Sequence, residues 1–438
     1  MALGRTGERG SLTLILNTTD GEVTVGDANI SEFSLDYTMF SMPSGVATLV
    51  VDSTTVSGIE SDATGALIFS NFDGDGSTMG YVILVTKADR HVLSNNTIMV
   101  ELYFTIGSRG LFANMENVAD EGTSLSMMIK LLDRNKIAYD DRLTPNSVKP
   151  QDNQVWRLTE ASLIENLNLL TNHSNCPNDY MFWCFDENTA GVRLSSIETE
   201  RSTSEEKLLM YSPQAVGTGS IGTHKLDEPE CTCWTYLNYV PLDASGANIE
   251  SKTPNFMIDS FDGEGRKDMG SCTSECWTNI LNAFGVPNDP TIAAQTFGPK
   301  DLVKTFPNNT HKSYAVAPYV RNAMLANYGK VVQTALFNNL GPKLGDVVKF
   351  VAKNHNDIGA GGAPDEYYTD EYLVISKRIS KDTSVPVGIL GNSKDAGITD
   401  VVTVLVLVSN HMVHDATSPF YKDVIKVRDK FSEVFANG

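Results

Sequence analysis

Cysteine is scarce, basic residues are outnumbered and no apolar run is long, and each shortage removes a class of protein. Six cysteines in 438 residues do not make a disulfide scaffold. Lys and Arg total 34 against 54 Asp and Glu, a formal charge of −20. That balance excludes a surface built to track phosphates or dock on anionic lipid, since both need clustered Lys and Arg. It suits a soluble particle component, or simply solubility. The longest apolar run, around Val401–Val408, falls far short of the roughly 20 residues that span a bilayer. The opening stretch MALGRTGERGSLTLILNTTDG lacks a signal-peptide core, so synthesis in the cytoplasm is expected. No G-x-S-x-G elbow is present. Gly217-Thr-Gly-Ser-Ile-Gly222 lacks the flanking strand and helix of a phosphate cradle. Internal repeats and low-complexity linkers are missing as well.

What the chain does carry is β-rich sequence at both ends. Residues 344–409 hold three runs dense in Val, Ile, Leu, Tyr and Phe: Val347–Ala352, Tyr372–Ile379 and Val401–Val408. No helical pattern of crossover length separates them, so they predict an antiparallel meander, with Lys330–Phe337 as a strand leading in. Residues 1–110 give six more: Ser11–Leu16, Ile30–Asp36, Gly45–Asp52, Ala66–Ser70, Tyr81–Thr86 and Ile98–Ile106. Short strands at this spacing predict a small barrel or sandwich. Asp73-Gly-Asp75-Gly-Ser77 reads as a turn, because an EF-hand loop needs Gly and Glu where Thr78 and Leu84 stand.

The middle of the chain changes character. Leu125, Met128, Ile129 and Leu132 recur at helical spacing behind Thr123 or Ser124 as cap. Leu163, Ile164, Leu167 and Leu170 mark a second helix, for which Thr159 is the expected cap. Tyr180–Phe185 and Val192–Ile197 then read as a hairpin around the turn Asp186–Gly191. Lys207–Tyr211 and Cys233–Tyr239 read as strands, and Ser271–Phe284 and Pro318–Tyr328 as helices. Phe420, Val424, Val427, Phe431 and Val434 alternate by four and three, a heptad-like stripe on a C-terminal helix.

Few residues offer chemistry. Cys231, Cys233, Cys272 and Cys276 form two short pairs. Structural zinc takes C-x₂₋₄-C at both ends, and the first pair is too close for that. Each pair sits beside a Trp, at 234 and 277, which fits plain burial; a zinc or iron–sulfur site remains the alternative. Asp365-Glu-Tyr and Asp370-Glu-Tyr place paired carboxylates near a strand, the kind of pair that hydrolyses glycosides, but acidic loops are common in so negative a chain. His411 and His414 read as surface residues.

Three stretches carry a resemblance. ISEFSLDYTMFSMPSGVATLVVDS at 30–53, WRLTEASLIENLNLLTNHS with the hairpin YMFWCFDENTAGVRLSSIE, and Leu344-Gly-Asp-Val-Val348 followed by Glu371-Tyr-Leu-Val-Ile-Ser376 occur in the order seen in one family. The chain resembles the baseplate hub proteins of contractile-tail bacteriophages, and is similar to the hub part of the type VI secretion spike protein VgrG. The resemblance covers about residues 11–410 and is weakest over 201–330. It implies an α+β chain of two antiparallel β-barrel domains with inserted helical α+β domains and a C-terminal helix. The expected units are a first barrel at 1–112, an α+β domain at 113–204, the start of a second barrel at 205–254, a helical insertion at 255–329, the rest of that barrel at 330–416 and the helix at 417–438.

The resemblance also implies a function. Such hubs are homotrimers that join a sixfold tail tube to a threefold central spike and contact other baseplate proteins. DNA passes through them without specific binding. They lie in the virion tail and carry no catalytic residue, cofactor or membrane anchor. A tail-associated cell-wall or polysaccharide hydrolase, a type VI spike-like hub and an adhesive β protein are the competing readings. The last expects fibrous repeats, which are lacking. Removal of 418–438 is expected to weaken trimer or partner assembly while both barrels stay folded; sedimentation of an unchanged trimer that still binds its spike would refute this.

Overall fold

The computed structural model describes residues 11–203 apart from 20, 53–58, 60–62, 71–77, 95, 108, 144–149, 151, 159 and 175–180, and then 207–210, 230–231, 233–237, 257–261, 266–268, 303–307, 330–337, 340–352, 370–382 and 401–409. The expected helices at 271–284, 318–328 and 417–438 lie outside the described residues, as do the turn at 73–77, the glycines of 217–222, Cys272, Cys276, Asp365, His411 and His414.

Alternation of apolar and polar residues builds the first β unit. Its strands are β1 (Ser11–Thr18), β2 (Gly21–Gly26), β3 (Ile30–Thr38), β4 (Ser44–Asp52), β5 (Thr64–Ser70), β6 (Thr78–Val92) and β7 (Thr97–Ile106). They lie in the order β3-β4-β7-β6-β5-β1-β2, each antiparallel to its neighbour. Strand β2, with only Val25 buried, gave too weak an alternation to be predicted. A 3₁₀ turn at Asp27–Asn29 links it to β3. Inward residues Leu12, Leu14, Leu16, Phe33, Leu35, Tyr37, Leu67, Phe69 and Tyr81 pack as one core, in keeping with the period-2 rule.

Next come α1 (Arg109–Phe112), β8 (Val118–Gly122), α2 (Ser124–Arg134), β9 (Tyr139–Asp141), β10 (Gln154–Leu158), α3 (Leu163–Asn172), β11 (Met181–Asp186), β12 (Gly191–Ser196) and α4 (Ile197–Thr203). Thr123 caps α2 by accepting from the Ser126 N–H. The cap of α3 is Ser162 and not Thr159: Ser162 and Glu165 form a reciprocal capping box, satisfying two donors where a lone Thr would satisfy one. Every residue of β11 and β12 is buried, so this hairpin has both faces covered; β11 reads as an almost continuous apolar run, while β12 buries Arg193, Ser195 and Ser196.

The second β unit is assembled from β13 (Lys207–Met210), β14 (Glu230–Cys231), β15 (Cys233–Leu237), β19 (Lys330–Phe337), β20 (Val347–Ala352), β21 (Asp370–Asp382) and β22 (Val401–Ser409), while β16 (Met257–Phe261), β17 (Arg266–Asp268) and β18 (Val303–Pro307) make a separate three-stranded sheet. Strands β20, β21 and β22 form the expected meander. The unit is not wholly antiparallel: β13 runs parallel to β14 and to β20, which the long stretches of chain between them, 211–229 and 211–346, permit.

The chain is β-rich among the described residues, as the sequence implied, with fewer helices there than the expected helical insertions would give, and the two β units are not separate. Strand β21 pairs with β22 and β20 on the second unit and with β3 on the first, joining both into one 14-stranded sheet. No ladder among the described residues closes either unit into a barrel: pairing ends at β2 on one side and at β14 and β15 on the other.

Gly345 shows why one loop of this arrangement needs glycine. Its φ is +84°, and a Cβ there would lie 2.9 Å from the Phe182 ring and 3.0 Å from Cys184 Sγ. Gly345→Ala is expected to cost about 2 kcal/mol through backbone strain and overpacking, read as a lower urea midpoint. An unchanged midpoint would mean that the loop repacks freely.

Candidate functional site: a buried polar junction of three units

The first β unit, the α+β hairpin and the second β unit meet at a cluster of charges that is almost wholly out of water. Lys377 on β21 is fully buried and donates to Glu187 Oε2 at 2.8 Å and Oε1 at 3.0 Å. Glu187 lies in the β11–β12 turn and is 5% exposed. The Lys377 ammonium also sits 5.3 Å from the centre of the Tyr37 ring on β3, a cation–π contact. One lysine therefore touches all three units.

A β-bulge places it there. On β21 the partners run Val374–Leu407, then Ser376–Val406 and Lys377–Leu405, so Ile375 is the extra residue. Beyond it, Lys377, Ile379 and Lys381 stand opposite Tyr37, Leu35 and Phe33 of β3 and share their inward face. Lys381, 1% exposed, donates to the Asp27 carbonyl at 2.6 Å and lies 2.9 Å from Asp27 Oδ1, gripping the 3₁₀ turn. Arg378, between them, faces out and pairs with Asp36 at 3.0 Å.

A second cluster adjoins the first. Arg193 of β12, fully buried, donates to Asp346 Oδ1 at 2.7 Å, to the Leu344 carbonyl at 3.2 Å and to Asp186 Oδ1 at 3.4 Å. Burial pushes the Asp186 carboxyl up, but hydrogen bonds from Thr189 and Asn188 and the Arg193 charge outweigh it and hold it below the usual range. Glu200 goes the other way: burial raises it, and the Ser195 hydroxyl and the two arginines, Arg193 and Arg142, offset this only in part. Burial also drives the Tyr37 and Tyr81 phenols and the Cys184 thiol well above their usual ranges, so none is a nucleophile near neutral pH.

The loop from Leu340 to Asp346 threads into this cluster. Its Leu344 carbonyl accepts from Cys184 Sγ and Arg193, and the Gly345 N–H donates to the Val374 carbonyl at 2.9 Å. A second pinned loop, Met39–Pro43, has Phe40 at φ +63°. Its Met39 N–H reaches the Ile375 carbonyl and its Phe40 N–H the Trp183 carbonyl, each at 3.3 Å, while Asn168 bridges the Phe40 carbonyl and Trp183 Nε1. A strained backbone held by three elements is the mark of an over-determined position.

The residues singled out from sequence are not brought together here. Cys231 lies on β14 and Cys233 on β15, with their partners outside the described residues. Asp370 accepts from Ser409 Oγ at 2.7 Å, tying β21 to β22, and Glu371 pairs with Arg201 of α4 at 3.3 Å, tying β21 to that helix. Lys377, Lys381, Glu187 and Arg193 were missed. A signal did exist: acids directly after the apolar run of β11, and lysines spaced by four within an apolar strand.

No protein-family model matches the chain, and no curated protein does. Solved structures do. The tail protein from Neisseria meningitidis MC58 is similar at TM-score 0.50 and 9% identity over 92% of this chain and 97% of that one. The 43 kDa tail protein of prophage MuSo2 from Shewanella oneidensis gives 0.48 and 9% over 90% and 97%. A chain of the half-lidded Francisella PdpA-VgrG complex gives 0.44 and 10% over 93% and 59%. The fold is thus shared with a solved tail protein.

Glu187→Ala leaves Lys377 buried without its partner and is expected to cost about 3–5 kcal/mol. Adding Lys377→Met should restore most of that loss, because an apolar side chain needs no acceptor. Urea denaturation of both variants checks it; a double variant as unstable as the single one would refute the assignment.

Proposed function

We propose that this chain is a structural component of a bacteriophage-type tail, a trimeric hub that joins a sixfold tail tube to a threefold spike. Two β units per chain, in three copies, would supply six similar barrels around a channel for DNA. Two features of the strand paths support a barrel reading. Strand β14 lies one residue from β15, yet β14 pairs with β13 and β15 with β19, at opposite ends of the path β13-β20-β21-β22-β19. Likewise β2, at one end of the first unit, runs within three residues into β3 at the other.

The observation that carries the reading is an uncharged outward sheet face. On β1, β5 and β6 the residues facing away from the core include Thr13, Ile15, Ala66, Ile68, Val82 and Leu84, with Ile15, Ala66 and Val82 in one cross-strand row. From Ser11 to Thr18, Thr64 to Ser70 and Thr78 to Thr86 there is no charged residue, in a chain of net charge −20. Val82 is 60% exposed. Depletion of charge is the compositional signature of an interface core. The fold shared with a solved tail protein points the same way.

An enzymatic reading has less support. At the junction, Asp186, Glu187 and Glu200 each already engage a base or a hydroxyl. A structural part of the virion baseplate, made in the host cytoplasm and in contact with tube, spike and other baseplate proteins, needs no such group. The acidity would keep passing DNA from adhering.

Light scattering of the purified protein is expected to give about 143 kDa, three times the 47.7 kDa chain, with threefold symmetry in negative stain. Val82→Glu, at an exposed site, should lower that mass with little change in melting temperature. A monomeric parent protein would overturn the proposal.

A further inference from the structure

Strand β21 has a second way to sit in the sheet. Counted without the bulge, from Val374 opposite Leu407, Ser376 would face Leu405 and Arg378 would face Thr403, both buried positions. Lys377 would instead stand opposite the half-buried Val404. Because side chains alternate, that one-residue change turns Lys377 and Lys381 out to water and brings Arg378 and Ser380 in. Two lysines held in the interior favour such a slip, since solvation rewards it. Within the observed register each has one acidic residue to hold it: Glu187 for Lys377 and Asp27 for Lys381. Those two acids sit on different units, the α+β hairpin and the turn before β3.

We propose that Glu187 and Asp27 select the register of β21, so that two ion pairs, and not apolar packing, decide which face of this shared strand points inward. Apolar packing is a weak arbiter after the bulge. Only Ile379 is apolar among the inward residues from 377 to 381, so the slip exposes one isoleucine and releases two lysines while it buries Arg378 and Ser380, a net gain of one solvated cation. The device matters because β21, paired with β3, is where the described strands of the two β units join. A change in its register re-sets how the units are joined by one residue, about 3.4 Å along the strand. This inference does not depend on the tail reading.

Cysteine pairs report the register. Thr38 lies opposite Ser376 in the observed one and would lie opposite Ile375 in the slipped one. Thr38→Cys is combined with Ser376→Cys or with Ile375→Cys, and disulfides are mapped by peptide mass spectrometry after mild oxidation. In the parent protein the 38–376 link should exceed the 38–375 link at least tenfold. With Glu187→Gln and Asp27→Ala the preference should reverse, and Lys377 and Lys381 should become reactive to an amine-acylating reagent. Adding Lys377→Met and Lys381→Met should bring back the 38–376 link, because methionines favour the interior. An unchanged 38–376 preference in the Glu187→Gln, Asp27→Ala protein overturns the proposal. So does unfolding of that variant without a 38–375 link, since the slipped register must be an accessible alternative.

Discussion

An ammonium group buried among three units imposes more order on this protein than any single apolar contact. Lys377 requires a carboxylate within reach, and Glu187 supplies it from a different part of the chain. That requirement ties the tip of the β11–β12 hairpin to β21. Through the Tyr37 ring it also reaches β3. Apolar packing tolerates small shifts, whereas a buried charge tolerates almost none, because the cost of losing its partner is several kcal/mol. The three units are therefore docked in one arrangement, with a continuous sheet and a continuous core running through the joint.

The loops around the joint follow from the same constraint. Leu340–Asp346 brings both its Leu344 carbonyl and its Asp346 carboxylate to the Arg193 guanidinium, so one side chain fixes two points of the loop. Gly345 permits the close approach to Phe182 and Cys184. Phe40 accepts an unfavourable φ because its N–H and carbonyl are bonded to the hairpin and to α3. Asp186 satisfies Thr189 and Asn188 within the turn before it meets Arg193. Most polar groups of this network are partnered, Arg193 Nε and Tyr37 Oη being the exceptions, and such a network is rigid.

Much of the fold was legible in the residues. Short apolar or alternating runs located β1, β3, β4, β5, β6 and β7, runs dense in β-branched and aromatic residues located the meander β20–β22, and the i, i+3, i+4, i+7 spacing located α2 and α3. Short strands such as β8, β9 and β10 were not legible, since three to five residues with mixed polarity give no period. The cap of α3 was legible in principle, for Ser162 and Glu165 stand three apart, the spacing of a capping box. The candidate site was barely legible. Its residues come from positions 27, 37, 187, 193, 346, 377 and 381, and no local pattern links them.

By itself, the sequence determined the local elements, the acidic character and the order of units, because periodicity, caps and turn residues act over a few neighbours and charge is a sum over residues. Tertiary structure alone decided that both β units share one sheet and that β21 turns its lysines inward. Alternation is the same for either register of a strand, so a bulge at Ile375 and acids about 190 and 350 residues away in sequence settle what the local pattern leaves open.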